Sequence, residues 1–346
     1  MTTSYLLHYS LLHFSTMPRL FLLSLLVILL LAANLVSGSI SLSVAEVWRA
    51  LWNDGAETTR FIILHHRLPQ ALTALLAGAA LGGGGLAMQT LFRNPLADPS
   101  LLGVTAGAGL GAAVVMLLWG GVGIIGGWVL SGFLLTLGAA FAGAAVVMLL
   151  LLVVARKVSG SAQLLIVGVM LSFIASSVVS LLNFFATAEG VRSYLVWGMG
   201  DFSSVGTARL LPLSLALLPA LGGLWLMAKP LDALLLGEDY ARSLGTDVRR
   251  VRTLLLLLVG WLSAVVTAVC GPIAFIGLAA PHIARLLLRT ATHRLLIPAS
   301  LLIGSATALV CLWVSILPSA GGVLPLNAIT PLIGAPVVLY LILKRR

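Results

Sequence analysis

Long apolar runs separated by short polar gaps leave this chain few choices of fold. Ten runs can be marked, at residues 19–37, 67–92, 99–119, 125–155, 162–187, 205–228, 250–270, 274–289, 295–316 and 328–343. A helix needs roughly 20 apolar residues to cross about 30 Å of hydrocarbon. In lipid only helices and closed barrels pair every backbone amide and carbonyl. These runs are continuous and lack the alternation of barrel strands, so the expected fold class is an all-α polytopic membrane protein with about ten spans. Composition agrees: 60% of the residues are hydrophobic and 9% charged, and mean hydropathy is +1.13. A soluble domain is nearer half apolar and about a quarter charged. The fourth run is long enough to tilt or to contain a break. The eighth opens after Gly271-Pro272, where an irregular start is expected.

The formal net charge of +10 points to the membrane rather than to nucleic acid, because the charges fall in the gaps and form no basic run with interleaved aromatics. With the N-terminus in the cytoplasm, alternation places 15 of the 20 Lys and Arg inside and five outside (Arg49, Arg60, Arg67, Arg192 and Arg209), while the ten acids divide evenly. That asymmetry is the positive-inside pattern. It predicts a multi-pass protein of the bacterial inner membrane with both termini cytoplasmic. Residues 1–18 read as an N-terminal cytoplasmic tail, with Met17 a second candidate start, and 19–346 as a single transmembrane domain. No cleaved signal peptide is expected, since the first apolar run exceeds a typical signal core. Cys270 and Cys311 sit within apolar runs and read as small buried hydrophobes.

One polar island interrupts the pattern. Residues 229–252 hold nine of the 30 charged side chains, and within them stands Gly237-Glu238-x-x-Ala241-x-x-Leu244-Gly245. The two glycines bracket a short helix, and Glu238 at its start suits the helix dipole. Leu234, Leu235, Tyr240 and Leu244 would give it an apolar face for a soluble partner. The plain alternative is an amphipathic helix lying on the membrane surface. A nucleotide-binding P-loop would need a Gly-Lys pair, and the chain has none. No catalytic residue, metal site or bound cofactor is expected on this chain.

Two further patterns matter. Gly78 and Gly82, and Gly103, Gly107 and Gly111, repeat every four residues, the spacing that lets helix backbones approach closely in lipid. Ser172, Ser176, Ser180, Asn183 and Thr187 recur at steps of four, four, three and four on the fifth run. A single intramembrane serine is expected to bond back to its own helix; five on one face favour a water-lined surface.

Four segments together closely resemble the FecCD family of binding-protein-dependent permeases, from about residue 39 onward. They are RLPQALTALLAGAALGGGGLAMQTLFRNPLADPSLLGVTAGAGLGA (67–112), LGEDYARSLGTDVRRVR (236–252), GPIAFIGLAAPHIARLLL (271–288) and PLNAITPLIGAPVVLYLIL (325–343). The resemblance implies the type II ABC importer permease fold and ATP hydrolysis by a separate subunit, which would hold the ATP and Mg. It implies two ATPase copies, a periplasmic substrate-binding protein, and a second permease copy or paralogue. It places the ATPase-coupling segment at 229–249, with Gly237, Glu238, Ala241, Arg242, Leu244 and Gly245 as the contact residues. It places the cytoplasmic gate at Asn94 and Leu96 with Ser161 and Ala162, and the translocation path along the fifth run. Arg60, Arg67 and Arg192 would dock the binding protein. Here the sequence departs from the family's usual RLPR, with Gln70 in the last position, and Ser315 stands where an arginine is common. His282, in the family's Pro-His pair, reads as a packing or hydrogen-bonding residue, since no second ligand stands at helical spacing.

The expected cargo is an iron complex, haem or a ferric siderophore, with the PLNA segment (325–328) leaning toward haem; the alternative is cobalamin. A secondary transporter driven by ions would place carboxylates at mid-membrane, and all ten acids here fall in or near the gaps. An intramembrane enzyme would show HExxH, GxSxG or an aspartate pair, and none is present.

Overall fold

The structure, a computed structural model, describes every residue except 1, 39, 41, 53, 120–122, 126–127, 131, 159–160, 317–322 and 345–346; for 2–16, 119, 123–125, 128–130, 161, 341–342 and 344 it describes the backbone alone. The elements run α1 (Thr2–Val36), α2 (Val44–Leu51), α3 (Glu57–Phe61), a π-helical turn (Ile62–Arg67), α4 (Leu68–Leu91), a 3-10 turn (Pro99–Leu102) and α5 (Val104–Trp119). An antiparallel hairpin follows, β1 (Gly123–Ile125) with β2 (Trp128–Leu130). Then come α6 (Gly132–Lys157), α7 (Ser161–Phe185), α8 (Ala188–Gly198), α9 (Thr207–Leu226), α10 (Ala228–Leu236), α11 (Glu238–Ser243), α12 (Val248–Cys270), α13 (Ile276–Leu288), α14 (His293–Ile316) and α15 (Leu326–Lys344).

All ten expected spans are helices. Among the described residues, seven are long and apolar enough to cross a membrane, and α5, α13 and α15 are shorter apolar helices. Residues 2–18, the expected tail, are helical and run on into the first span. Two boundaries differ. The fourth run does contain a break: its first residues belong to the hairpin, and the span is α6 alone. Residues 188–198, expected as a gap, form α8, whose first turn is capped by the Thr187 side chain accepting from Gly190 N at 3.2 Å. The irregular start of the eighth span is present: residues 271–275 are not helical, and Phe275 takes a left-handed conformation before α13.

The core is built on α4, which is buried along nearly its whole length against α9, α12, α13 and α14. With no hydrophobic force pulling helices together in lipid, close backbone contact must supply the packing. A Cβ on Gly78 would lie 2.3 Å from the Gly304 carbonyl oxygen, and one on Gly304 would lie 2.1 Å from that of Gly78. These positions accept hydrogen alone. The α5–α6 seam repeats the arrangement with Gly107 and Gly143.

Hydrogen bonds sort the connections into two ends. At the end holding the island, Arg19 donates to Leu287 O, Arg249 to Arg156 O and Arg93 to Leu234 O. At the far end, Arg67 donates to Leu35 O, Trp313 to Ser37, Thr207 to Leu64 O and Asn327 N to Met199 O. There α2 begins in a reciprocal capping box between Ser43 and Glu46. The hydrogen bonds from Ser43 hold the Glu46 carboxyl below its ordinary range.

Candidate functional site

The island folds as a bent pair of helices. Gly237, at φ +124° and ψ +149°, joins α10 to α11 in a conformation essentially restricted to glycine. Arg252 of α12 donates to Glu238 at 2.8 Å and also to Val158 O, while Arg242 bonds Glu238 and Asp239. Glu238 is thus an anchor for α11 as well as a start residue. Ala241 is 0% exposed and Leu234 is 3% exposed. Both expectations are therefore corrected: these two side chains face the protein's own core, because Gly237 resets the helical phase between α10 and α11. The large apolar side chains exposed on this bent pair are Leu235, Leu236, Tyr240 and Leu244. Beside them is a groove of about 660 Å³ lined by Phe92, Arg93, Gly237, Glu238, Tyr240 and Arg242 among others.

The turn joining α4 to the 3-10 turn lies at the same end. Asn94 accepts from Leu96 N at 2.9 Å and closes the turn, and Leu96 stands exposed at its tip. His282 Nε2 lies 2.8 Å from Pro95 O, the hydrogen-bonding role expected of it. Ala162 is exposed at the start of α7; the Ser161 side chain lies outside the described residues.

A second site opens between α5, α7, α8 and the start of α15. It is a cavity of about 850 Å³ whose lining includes Thr105, Ser172, Ser176, Ser180, Tyr194 and Asn327. Three of the five predicted path residues therefore share one wall. Asn183 is not in the lining, and Thr187 lies beyond the end of α7 as the cap of α8. Ser172 and Ser180 donate to Gly168 O and Ser176 O, each at 3.0 Å. Their protons are spent on their own helix, so their oxygens face the cavity as acceptors. No Lys, Arg, Asp or Glu appears among the described lining residues. Burial pushes the Tyr194 phenol above its ordinary range, so it stays a neutral hydroxyl. Its ring stacks on Trp197, with centroids 6.0 Å apart.

Asn327 holds this cavity together. Its amide donates to Gly198 O at 2.9 Å and Pro272 O at 2.6 Å, and its carbonyl accepts from Ala274 N at 3.3 Å. The asparagine of the PLNA segment is thus a clamp between α8, the 271–275 connection and α15. It gives no lean toward haem.

Residues 25–344 match the FecCD transport family. This chain belongs to the FecCD family. Its curated relatives include the vitamin B12 import system permease protein BtuC of Klebsiella pneumoniae, 38% identical over 312 residues, 90% of this chain and 91% of that protein. The BtuC protein of Salmonella paratyphi A is 39% identical over 323 residues, 93% of this chain and 94% of that protein. Among solved structures, a metal-chelate type ABC transporter in an inward-facing conformation superposes with a TM-score of 0.83 at 30% identity, covering 94% of this chain and 99% of that one. The architecture is that of an ABC importer permease.

The far end of this FecCD permease corrects one more expectation. Arg67 is 8% exposed, and its guanidinium donates to Leu35 O, Val36 O and Ile40 O at 2.5–2.8 Å. It closes the end of α1 instead of standing out toward a partner. A Cβ on Gly38 would lie 2.6 Å from the same guanidinium. Arg192 is exposed on α8 and Arg60 is half-buried. Replacing Arg67 by Ala strands three carbonyls and should lower stability by about 2–3 kcal/mol. The thermal midpoint in detergent is expected to fall for Arg67→Ala and to stay unchanged for Arg192→Ala. Equal midpoints would show that the clasp carries no stability.

Proposed function

We propose that this chain is the permease subunit of an ATP-driven importer carrying cobalamin, or a neutral metal chelate of similar bulk, across the bacterial inner membrane. The observation that carries the cargo assignment is the uncharged, largely apolar cavity beside α7, in which Ser172 and Ser180 offer acceptor oxygens. Cobalamin bears peripheral amides, which are hydrogen-bond donors suited to serine oxygens already committed to their own helix. Haem carries carboxylates, and a carboxylate entering a site without Lys or Arg meets no partner to offset its lost hydration. The near full-length similarity to BtuC proteins supports the same choice, and the iron-complex expectation gives way to it.

A separate ATPase subunit would dock on Leu235, Leu236, Tyr240 and Leu244, and a binding protein on the opposite face near Arg60 and Arg192. A second copy or paralogue would complete the path. The bareness of α7 supports this last point: Phe173, Ile174, Leu181 and Phe184 are all exposed on the single chain. The gate would be formed by the Asn94–Leu96 turn with Ser161 and Ala162.

Reconstitution with the ATPase and the binding protein should give ATP-dependent uptake of labelled cyanocobalamin into vesicles. Uptake of haem but not cyanocobalamin would overturn the cargo; ATP-independent uptake would overturn the class. Orientation has its own test. Cysteines at Asp239 and Thr292 should label from the cytoplasmic face and one at Glu57 from the opposite face. Labelling of residue 239 from outside would invert the topology.

A further inference from the structure

Three helices meet at one buried hydrogen-bond chain that neither the cavity nor the docking surface uses. Asp232 of α10 accepts from the His293 backbone amide at 2.8 Å and lies 2.7 Å from His293 Nδ1. His293 Nε2 lies 2.8 Å from Thr90 Oγ1, which is 3.0 Å from Leu86 O. His293 is 1% exposed and Thr90 is 2% exposed, while the Asp232 carboxylate reaches the surface. The carboxylate also caps the start of α14, where the helix dipole favours a negative charge. Thr90 carries one proton, and two arrangements satisfy every group. With a neutral ring protonated at Nδ1, Thr90 donates to Nε2. With a doubly protonated ring, Nε2 donates to Thr90, which donates to Leu86 O. The linkage therefore survives either protonation state. The Thr90 hydroxyl and the His293 ring are buried and engaged with each other, and we read the array as mechanical in role.

Its position gives it a task. α10 runs through Gly237 directly into α11. Thr90 stands at the last turn of α4, just before the turn that carries Asn94 and Leu96. α14 is the helix locked to α4 at Gly78 and Gly304. We propose that Asp232, His293 and Thr90 are positioning residues that transmit movement of the coupling segment to the end of α4 and its gate turn. This rests on the importer reading above. Coupling between two sites requires an element that links their states, and this chain joins α10 to both α4 and α14.

The test uses the reconstituted permease–ATPase complex with a cysteine at Leu96, and MgATP as the probe. In the otherwise unaltered complex, labelling at residue 96 should change on ATP addition. Thr90→Val is expected to keep ATP hydrolysis while reducing that change at least about fivefold; Thr90→Ser, which keeps the hydroxyl, should restore it. Asp232→Ala breaks the chain at its exposed end and should give the same loss. Because the residues act in series, the double variant should be no worse than either single one. If Thr90→Val does not assemble, Asp232→Ala carries the test. A full ATP-dependent change in Asp232→Ala or Thr90→Val overturns the proposal alone, as do losses that add in the double variant. No ATP-dependent change before either residue is altered overturns the importer reading, and the proposal with it.

Discussion

Ser176→Trp is expected to reduce ATP-driven import by at least about a hundredfold while leaving ATP hydrolysis within about twofold, a split that separates a blocked path from a lost motor. Ser176 is exposed toward the cavity between Ser172 and Ser180. An indole there places a large rigid surface in the route proposed for a bulky cargo. If two copies face each other across the path, the obstruction is doubled. The surface proposed for the ATPase lies at α10–α11, far along the chain from α7, and should be undisturbed. Ser176→Ala is the control. It removes one hydroxyl without adding bulk and should retain most of the transport. Thiols at 176 and 180 should also react with small aqueous reagents, and those at 178 and 182 should not. Import by Ser176→Trp at the unaltered rate would remove α7 from the path.

Gly304→Val should abolish accumulation of folded protein. The branched side chain would begin 2.1 Å from the Gly78 carbonyl oxygen, on the backbone of the most buried helix. Restoring an ordinary contact requires α4 and α14 to separate by more than about 1 Å. Overpacking of a close-packed interior costs typically about 1–3 kcal/mol, and more where backbone is the obstacle. The same separation would disturb the neighbouring Gly82–Ser300 contact, where an added Cβ would meet a carbonyl at 2.4 Å. Gly222→Val is the comparison, since nothing lies within 4 Å of a Cβ there. Membrane-extracted protein eluting as one symmetric species would be seen for Gly222→Val and lost for Gly304→Val. Normal elution of both would show that the seam yields.

The spans were legible because lipid leaves apolar runs little choice but helices, and the glycine spacing of four marked the helix seams. Tertiary detail was less legible, for particular reasons. Arg67 lies at the end of a span, where charge patterning shows only which side of the membrane it is on. Its partners are carbonyls of residues 35, 36 and 40, which no local pattern connects to it. The inward turn of Ala241 and Leu234 was hidden because helical periodicity cannot be carried through Gly237. α8 escaped notice because its eleven residues mix charge with apolar side chains, and its one local signal was the Thr187 cap. Ser172, Ser176 and Ser180 were found because they obey helical spacing; Tyr194 and Asn327 come from separate elements and share a wall with them only after folding.

The short helix α11 has consequences for how such subunits diversify. Its inner face, with Ala241 buried and Glu238 held by Arg252, belongs to the architecture of the membrane protein. Its outer face, with Tyr240 and the neighbouring Leu244, makes no contribution to the buried core. Substitutions on the two faces are therefore subject to separate selection. On the proposed docking of the ATPase here, drift on the outer face retunes which motor a permease accepts while leaving the buried core intact, whereas drift on the inner face is removed before any partner is met. A genome carrying several related importers could in this way keep its motors apart, or share one among them, by exchanging a few exposed side chains.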